Sequence, residues 1–219
     1  MLAIFDVDGT ILDSMDYCNN ISERYLIQNN IEPELNLAEK MFSMSFLQGS
    51  QYVVDNYPLN KTVEKVKEEI LIGLEDYYFN KVKLKDGALE IFEFFKENGV
   101  DMVIATSTDS YLIEGSFERL KIKKYFSKIY SPDVLNIPKS STKFLDTILN
   151  EYKVWGRDAI LFEDGLYSIK NANKLGINTI GVYDYTSRKI QQELKVNSDL
   201  YLETLKDYRG EFLWKQHLQ

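Results

Sequence analysis

Leu2-Ala3-Ile4-Phe5-Asp6-Val7-Asp8-Gly9-Thr10 opens the chain, and its reading decides the fold. The apolar run Leu2-Ala3-Ile4 has the length and character of a strand buried on both faces of a parallel sheet. Such a strand delivers two carboxylates and a turn glycine to its carboxyl end, the edge where open α/β sheets bind ligands. Asp6 and Asp8 repel each other at that spacing, so folding them together calls for a cation, a shared proton or both. The opening stretch therefore suggests a magnesium-assisted reaction on an anion.

Working outward, the pattern turns helical from about Ser14 to Phe79. Tyr17, Ile21 and Tyr25 share one helical face, and Val63, Val66, Ile70, Leu74 and Tyr77 another, with Pro33 and Pro58 as punctuation. Alternation of strand and helix resumes at Asp86-Gly87, which starts a helix stopped by Gly99. Met102–Ala105, Lys128–Tyr130, Ala159–Phe162 and Asn178–Val182 read as strands, and Leu112–Leu120, Phe144–Tyr152 and Ile169–Leu175 as helices. The tail from Lys189 is read as helix with an edge strand. The expected fold class is α/β, a doubly wound parallel-sheet, Rossmann-like core in residues 1–14 and 82–219. An all-helical cap domain is inserted over residues 15–81, with the crossings near Ser14 and Lys81 as hinges.

Composition narrows the partners. A chain of 219 residues can bury a sizeable core. Its net charge of -8 argues against a nucleic-acid backbone as partner. Lys121, Lys123, Lys124 and Lys128 are read as a solvated helix face. One cysteine, Cys18, allows no internal disulfide and suggests a reducing compartment. No leader is read before the first strand, and no apolar run approaches the roughly 20 residues of a membrane span. The expectation is a cytoplasmic protein, monomer or small homo-oligomer, with neither nucleic acid nor membrane as partner. The lone His217 sits in a polar tail and offers no histidine chemistry. Asp184 reads as a loop or cap residue.

Asp6 and Asp8, Thr106, Lys139, and Glu163-Asp164 should meet at one sheet edge, because each follows a strand. Singly, each has a bland reading. Asp-x-Asp-Gly also occurs in turns and calcium loops, and Thr106 would cap a helix, as would Ser107 or Thr108. Lys139 would be a surface lysine, and Glu163-Asp164 favourable charge at a helix N-terminus. In this order the set resembles the four motifs of the haloacid dehalogenase superfamily of phosphotransferases. The matching segments are Asp-x-Asp-Gly-Thr, Ile-Ala-Thr-Ser, an isolated Lys, and Phe-Glu-Asp-Gly. The stretch from Phe162 to Asp184 is similar to the β-phosphoglucomutase and phosphoglycolate phosphatase branch, whose members carry small helical caps.

That resemblance implies Mg²⁺ as cofactor and a small phosphorylated metabolite as substrate. It makes Asp6 the nucleophile of an aspartyl-phosphate pathway and Asp8 the acid and base. Asp6 and Asp164 would ligate the metal by carboxylate and Asp8 by its backbone carbonyl, with Glu163 close by or in an outer shell. Thr106, with Ser107 beside it, would bind phosphoryl oxygens, and Lys139 would offset charge on the phosphoryl group and Asp6. Lys143 is the competing lysine, placed in the first turn of the following helix. Dehalogenation is disfavoured, since it gives Asp8 no role. The leading expectation is a phosphatase, with a sugar phosphomutase as the alternative and a non-catalytic phosphate-binding module as a third reading. A mutase needs a grip on a distal phosphate, suited to arginine, yet no arginine lies between Arg24 and Arg119. Cys18 also stands where β-phosphoglucomutases carry a histidine. Lys40, Lys61 and Lys65 are the available substitutes. The segment Phe42 to Gln48 would face the leaving group.

Overall fold

The opening run forms β1 (Leu2–Phe5), all four residues buried, in a computed structural model that describes residues 1–41, 44 and 46–213. The chain divides into two compact units, one of residues Met1–Asp13 and Val82–Gln219, the other of Ser14–Lys81.

The second unit is helical: α1 (Met15–Asn19), α2 (Ile21–Gln28), α3 (Leu37–Met41), α4 (Phe46–Asn56) and α5 (Val63–Asn80). Tyr25, Leu26, Leu37, Val53, Leu59, Val66 and Ile70 form its own core. The spacing of Tyr17, Ile21 and Tyr25 predicted one face of one helix, but the chain breaks at Asn20 (φ -102°, ψ 15°). The Asn20 amide donates to the Asp16 carbonyl at 2.8 Å, a local side-chain bond that competes with helix continuation. Tyr17 is thereby freed to stack on Tyr77, ring centroids 3.8 Å apart, and to donate to the Gly73 carbonyl at 3.0 Å.

The first unit continues with α6 (Ala88–Glu97), β2 (Asp101–Ala105), α7 (Ser110–Leu120), β3 (Lys128–Tyr130), α8 (Pro132–Leu135) and α9 (Thr142–Tyr152). Then come β4 (Ala159–Glu163), α10 (Leu166–Lys174), β5 (Asn178–Val182), α11 (Gln191–Asn197) and β6 (Leu200–Leu202). The strands form one parallel sheet in the order β3-β2-β1-β4-β5-β6. The chain lays down β1 to β3 in one direction and then resumes at β4 on the other side of β1. The strand order therefore reverses at β1, where open α/β sheets place their ligand crevice.

Both faces of the sheet are covered, as an apolar strand without alternation requires. On one face Leu2, Ile4, Val103 and Leu161 pack with Phe144, Leu145 and Ile148 of α9. Phe5 and Phe162, neighbours in the β1–β4 register, stack with centroids 4.6 Å apart. Phe92 and Phe95 of α6 meet Phe5 edge-on at 5.6 and 5.9 Å. Gly87 caps α6 at φ +92°, and a Cβ there would lie 2.4 Å from the Lys206 backbone nitrogen, so only glycine lets the tail pack so closely.

Three sequence expectations change. Lys121, Lys123, Lys124 and Lys128 do not share a helix face: Lys121 ends α7 in a left-handed conformation, Lys123 and Lys124 lie in a 3₁₀ turn, and Lys128 is in β3. Glu163 is the last residue of β4 rather than the first after it, because β5 extends alongside and pairs Gly181 with Glu163. Lys139 does not directly follow a strand, because α8 intervenes, opened by Pro132 at its first turn. The tail supplies α11 and the parallel edge strand β6. No helix of the described residues is long and apolar enough to cross a membrane.

Candidate active site

β1 ends at Phe5, but the Asp6 amide still donates to the Phe162 carbonyl at 3.0 Å, fixing the first carboxylate at the mouth of the sheet. The backbone then coils. The amides of Thr10, Ile11 and Leu12 all return to the Val7 carbonyl, at 3.2, 3.0 and 2.9 Å. Gly9 takes φ +83°, a conformation costly for any residue with a Cβ. This coil brings the Thr10 hydroxyl back to donate to Asp6 Oδ2 at 2.8 Å. Asp6 Oδ1 accepts from Lys139 Nζ. Asp6 is 4% exposed and Thr10 fully buried.

Asp8 is less buried and its carboxyl group turns elsewhere, with Oδ2 accepting from the Thr108 hydroxyl at 2.6 Å. Thr106 follows β2, its amide extending the ladder to the Tyr130 carbonyl at 3.0 Å. Its hydroxyl accepts from the Thr108 amide at 3.0 Å, so Thr106 shapes the loop that holds Asp8. It does not cap α7, whose first amide, at Ser110, is met by the Asp133 carboxylate. The Ser107 hydroxyl lies 3.2 Å from the Tyr167 hydroxyl.

Lys139 is 4% exposed and sits between Asp6 and Glu163, with Glu163 Oε2 at 2.8 Å. Burial alone would depress its ammonium pKa, but the charges of Asp6 and Glu163 overcome burial and hold it well above the usual lysine range. Ser141 caps α9, its hydroxyl accepting from the Lys143 amide at 3.3 Å, and the Lys143 side chain is exposed. From α10, Asn171 donates to the Ser140 carbonyl at 2.7 Å and accepts from the Thr142 hydroxyl at 2.9 Å. One buried amide thus pins the loop next to Lys139.

Carboxylate oxygens of Asp6, Glu163 and Asp164 all lie within 4.8 Å of one another. Glu163 Oε1 accepts from the Gly165 amide at 2.9 Å, whereas Oε2 is buried with only the ion-pair contact to Lys139 and accepts no hydrogen bond. Asp164 is 7% exposed. Burial, then the charges of Asp6, Glu163 and Asp184, push its carboxyl pKa well above the ordinary range, with Lys139 offsetting only part. Burial and Asp6 raise Glu163 as well. Three carboxylates against one ammonium leave a formal charge of -2 in a desolvated cluster. That deficit and an all-oxygen donor set fit a hard divalent cation.

A sequence profile described as haloacid dehalogenase-like hydrolase matches residues 3–182, most of the chain. The chain belongs to this hydrolase family. Among known proteins it is similar to a phosphorylated carbohydrates phosphatase of Thermotoga maritima, 21% identical over 81% of this chain and 82% of the relative. It is also similar to a (DL)-glycerol-3-phosphatase of Arabidopsis thaliana, 24% identical over 95% of this chain and 71% of the relative. Its fold is shared with the β-phosphoglucomutase of Clostridium difficile, at a TM-score of 0.69 and 16% identity, covering 99% of this chain and 96% of that one.

Asp6, Lys139, Glu163 and Asp164 therefore form one contact cluster, while Asp8, Thr106 and Thr108 form a second, joined to it through the coil from Asp6 to Thr10. Ser107 turns toward Tyr167 instead. The sequence reading assigned no role to Thr10, Tyr167 or Asn171. Tyr167 and Asn171 stand four residues apart on α10, and that spacing was the available signal. In the helical unit, Met44 and Phe46 line a cavity of about 250 Å³ with Cys18, Ser22, Ser50 and Ile70. Phe42, Ser43 and Ser45, expected near the leaving group, lie outside the described residues, as does His217.

Proposed function

We propose that the chain is a magnesium-dependent phosphatase that hydrolyses a small phosphomonoester through an aspartyl-phosphate on Asp6. The observation that carries this reading is the placement of Asp6, a buried carboxylate aimed by Thr10 and Lys139 inside a cluster two positive charges short. Uncatalysed phosphomonoester hydrolysis is so slow that enzymes accelerate it by up to ~10²¹-fold, which demands a placed nucleophile and charge neutralisation.

Asp6 attacks phosphorus, and the bond from phosphorus to the ester oxygen breaks. The departing oxygen takes a proton from Asp8. Asp8, now a carboxylate, then accepts a proton from the water that attacks the aspartyl-phosphate, releasing phosphate and restoring both acids. Thr108, bonded to the Asp8 carboxyl group, would orient it for these transfers, and Thr106, with Ser107 beside it, would hydrogen-bond a phosphoryl oxygen. Lys139 screens the repulsion between Asp6 and the phosphoryl group. Mg²⁺, held by Asp6, Asp164 and the Asp8 carbonyl, would neutralise phosphoryl oxygens. Glu163, ion-paired to Lys139, would hold that lysine and stand close to the metal or in its outer shell.

The helical unit favours hydrolysis over mutase chemistry. Arg24, its only arginine, pairs with Asp16 at 2.9 Å. Lys40, Lys61 and Lys65 pair with Glu34, Glu69 and Glu68 at 3.0, 2.6 and 2.9 Å. None of these cations is set aside for a second phosphate. The named phosphatase relatives act on phosphorylated carbohydrates and glycerol phosphate, and a substrate of that size is the one proposed here.

The test is phosphate release from a panel of phosphomonoesters with and without Mg²⁺, for wild type and Asp6→Asn. Activity should require the cation and fall by several orders of magnitude in the variant. Retention of more than about a tenth of wild-type activity in Asp6→Asn, or full activity in excess chelator, would overturn the reading.

A further inference from the structure

Where the chain re-enters the α/β unit, Lys85 is bound at both backbone and side chain. Its amide donates to the Ile11 carbonyl at 2.9 Å, and two residues earlier the Lys83 carbonyl accepts from the Asp13 amide, also at 2.9 Å. Its side chain is 16% exposed. It donates to the Gly9 carbonyl and to the Tyr183 carbonyl at 2.8 Å, and it pairs with Asp184 Oδ2 at 2.8 Å. Two carbonyls accept hydrogen bonds from the ammonium group, and a carboxylate forms an ion pair with it. Asp184 is anchored in turn, its Oδ1 accepting from the Thr186 amide at 2.9 Å and the Thr186 hydroxyl at 2.7 Å.

Gly9 immediately follows Asp8, and with φ +83° and no side chain it does little to fix the orientation of its own carbonyl. The Gly9 amide is committed to the Leu12 carbonyl at 3.1 Å. The carbonyl is committed to Lys85. The Asp8 carboxyl group is therefore held at its tip by Thr108, while the peptide that follows it is tied, through Lys85, to the end of β5. A hydroxyl would donate one bond and a side-chain amide two, both neutral. An ammonium group meets both carbonyls by charge-assisted bonds, with the Asp184 ion pair compensating its charge.

We propose that Lys85 is a positioning residue for Asp8, setting the turn from which Asp8 protonates the leaving group. The role rests on the phosphatase reading above. When the bond between phosphorus and the ester oxygen breaks, the electron pair goes to that oxygen, which takes the Asp8 proton as the Asp6 oxygen bonds to phosphorus. A weakly basic leaving group such as nitrophenolate departs without much help, whereas a basic one depends on the placed proton. Loss of Lys85 should therefore penalise substrates in proportion to leaving-group basicity, which a general loss of structure would not do.

The experiment measures kcat/KM for wild type and Lys85→Met along a series of phenyl phosphates, from p-nitrophenyl to p-methoxyphenyl phosphate, with melting curves for both proteins. The loss in Lys85→Met should be about 10-fold larger at the p-methoxyphenyl end than at the p-nitrophenyl end. A loss that is uniform along the series, or no loss, overturns the proposal. If Lys85→Met does not accumulate folded, Lys85→Gln keeps one donor for the Gly9 carbonyl. It should show the same trend at smaller amplitude, and a flat profile there also overturns the proposal. Failure of wild type on the whole series and on the phosphomonoester panel is the distinct result that removes the phosphatase reading itself.

Discussion

Lys139 and Lys143 stand four residues apart, yet one is 4% exposed between two carboxylates and the other faces solvent from the first turn of α9. The difference arises at Ser141, whose cap on α9 ends the loop and turns Lys143 outward. A buried ammonium group between two acids says little about net stability, because desolvation offsets most of the attraction. It says more about chemistry, since a charge already desolvated beside Asp6 needs no reorganisation as the phosphoryl group arrives. Lys139→Ala should therefore lower kcat/KM by about 100-fold or more, and Lys143→Ala by less than about five-fold. Steady-state kinetics of the two variants checks this, and the reverse ranking would move the functional lysine into the helix.

Elements, rather than single side chains, hold these groups in place. Parallel β1, β2 and β4 end together, which delivers Asp6, Thr106 and Asp164 to one edge. The Lys139 loop has no strand to align it and depends on a neighbouring helix. Asn171 of α10 supplies that alignment through the Ser140 carbonyl and the Thr142 hydroxyl. Asn171→Ala removes the partner of the Ser140 carbonyl and the Thr142 hydroxyl, at a cost of about 0.5–1.5 kcal/mol, visible in urea unfolding. It should also lower kcat/KM by about 10-fold by releasing the lysine loop. Because that effect acts through Lys139, adding Asn171→Ala to Lys139→Ala should lower kcat/KM little further. Additive losses in the double variant would show that Asn171 acts by another route.

At the scale of the molecule, the proposed Mg²⁺ site would make folding and cation binding linked equilibria. Without a cation, the Asp164 carboxylate is buried among like charges, which burdens the folded state. Asp164→Asn removes that charge, so the metal-free variant should melt above metal-free wild type. Mg²⁺ at about 100 times its dissociation constant should raise the wild-type melting temperature by about 5 °C or more. The variant should respond far less. Equal shifts in the two proteins, followed by calorimetry, would place the cation elsewhere.

The apolar run Leu2–Phe5 and its three successors at β2, β4 and β5 were legible as buried parallel strands because such strands lack polar alternation. Asp6, Asp8, Thr106 and Asp164 follow at once, since a residue just past a parallel strand lies at the ligand edge wherever the strand sits in the sheet. Lys139 was legible only through its resemblance to a family motif, because eight residues and a short helix separate it from β3. The break at Asn20 was not legible: side-chain competition for a backbone carbonyl leaves the apolar spacing unchanged. Lys85 carries no local pattern that distinguishes it from an ordinary surface residue, and Asn171 and Tyr167 carry only their four-residue spacing on α10. Their roles depend on which carbonyl, carboxylate or hydroxyl stands opposite, and the partners lie 76, 31 and 60 residues away. Local sequence determined the strands and the acids at their ends, because periodicity and strand polarity act over a few residues. Tertiary structure decided which donors aim those acids, because a hydrogen bond requires contact and only the folded sheet creates it.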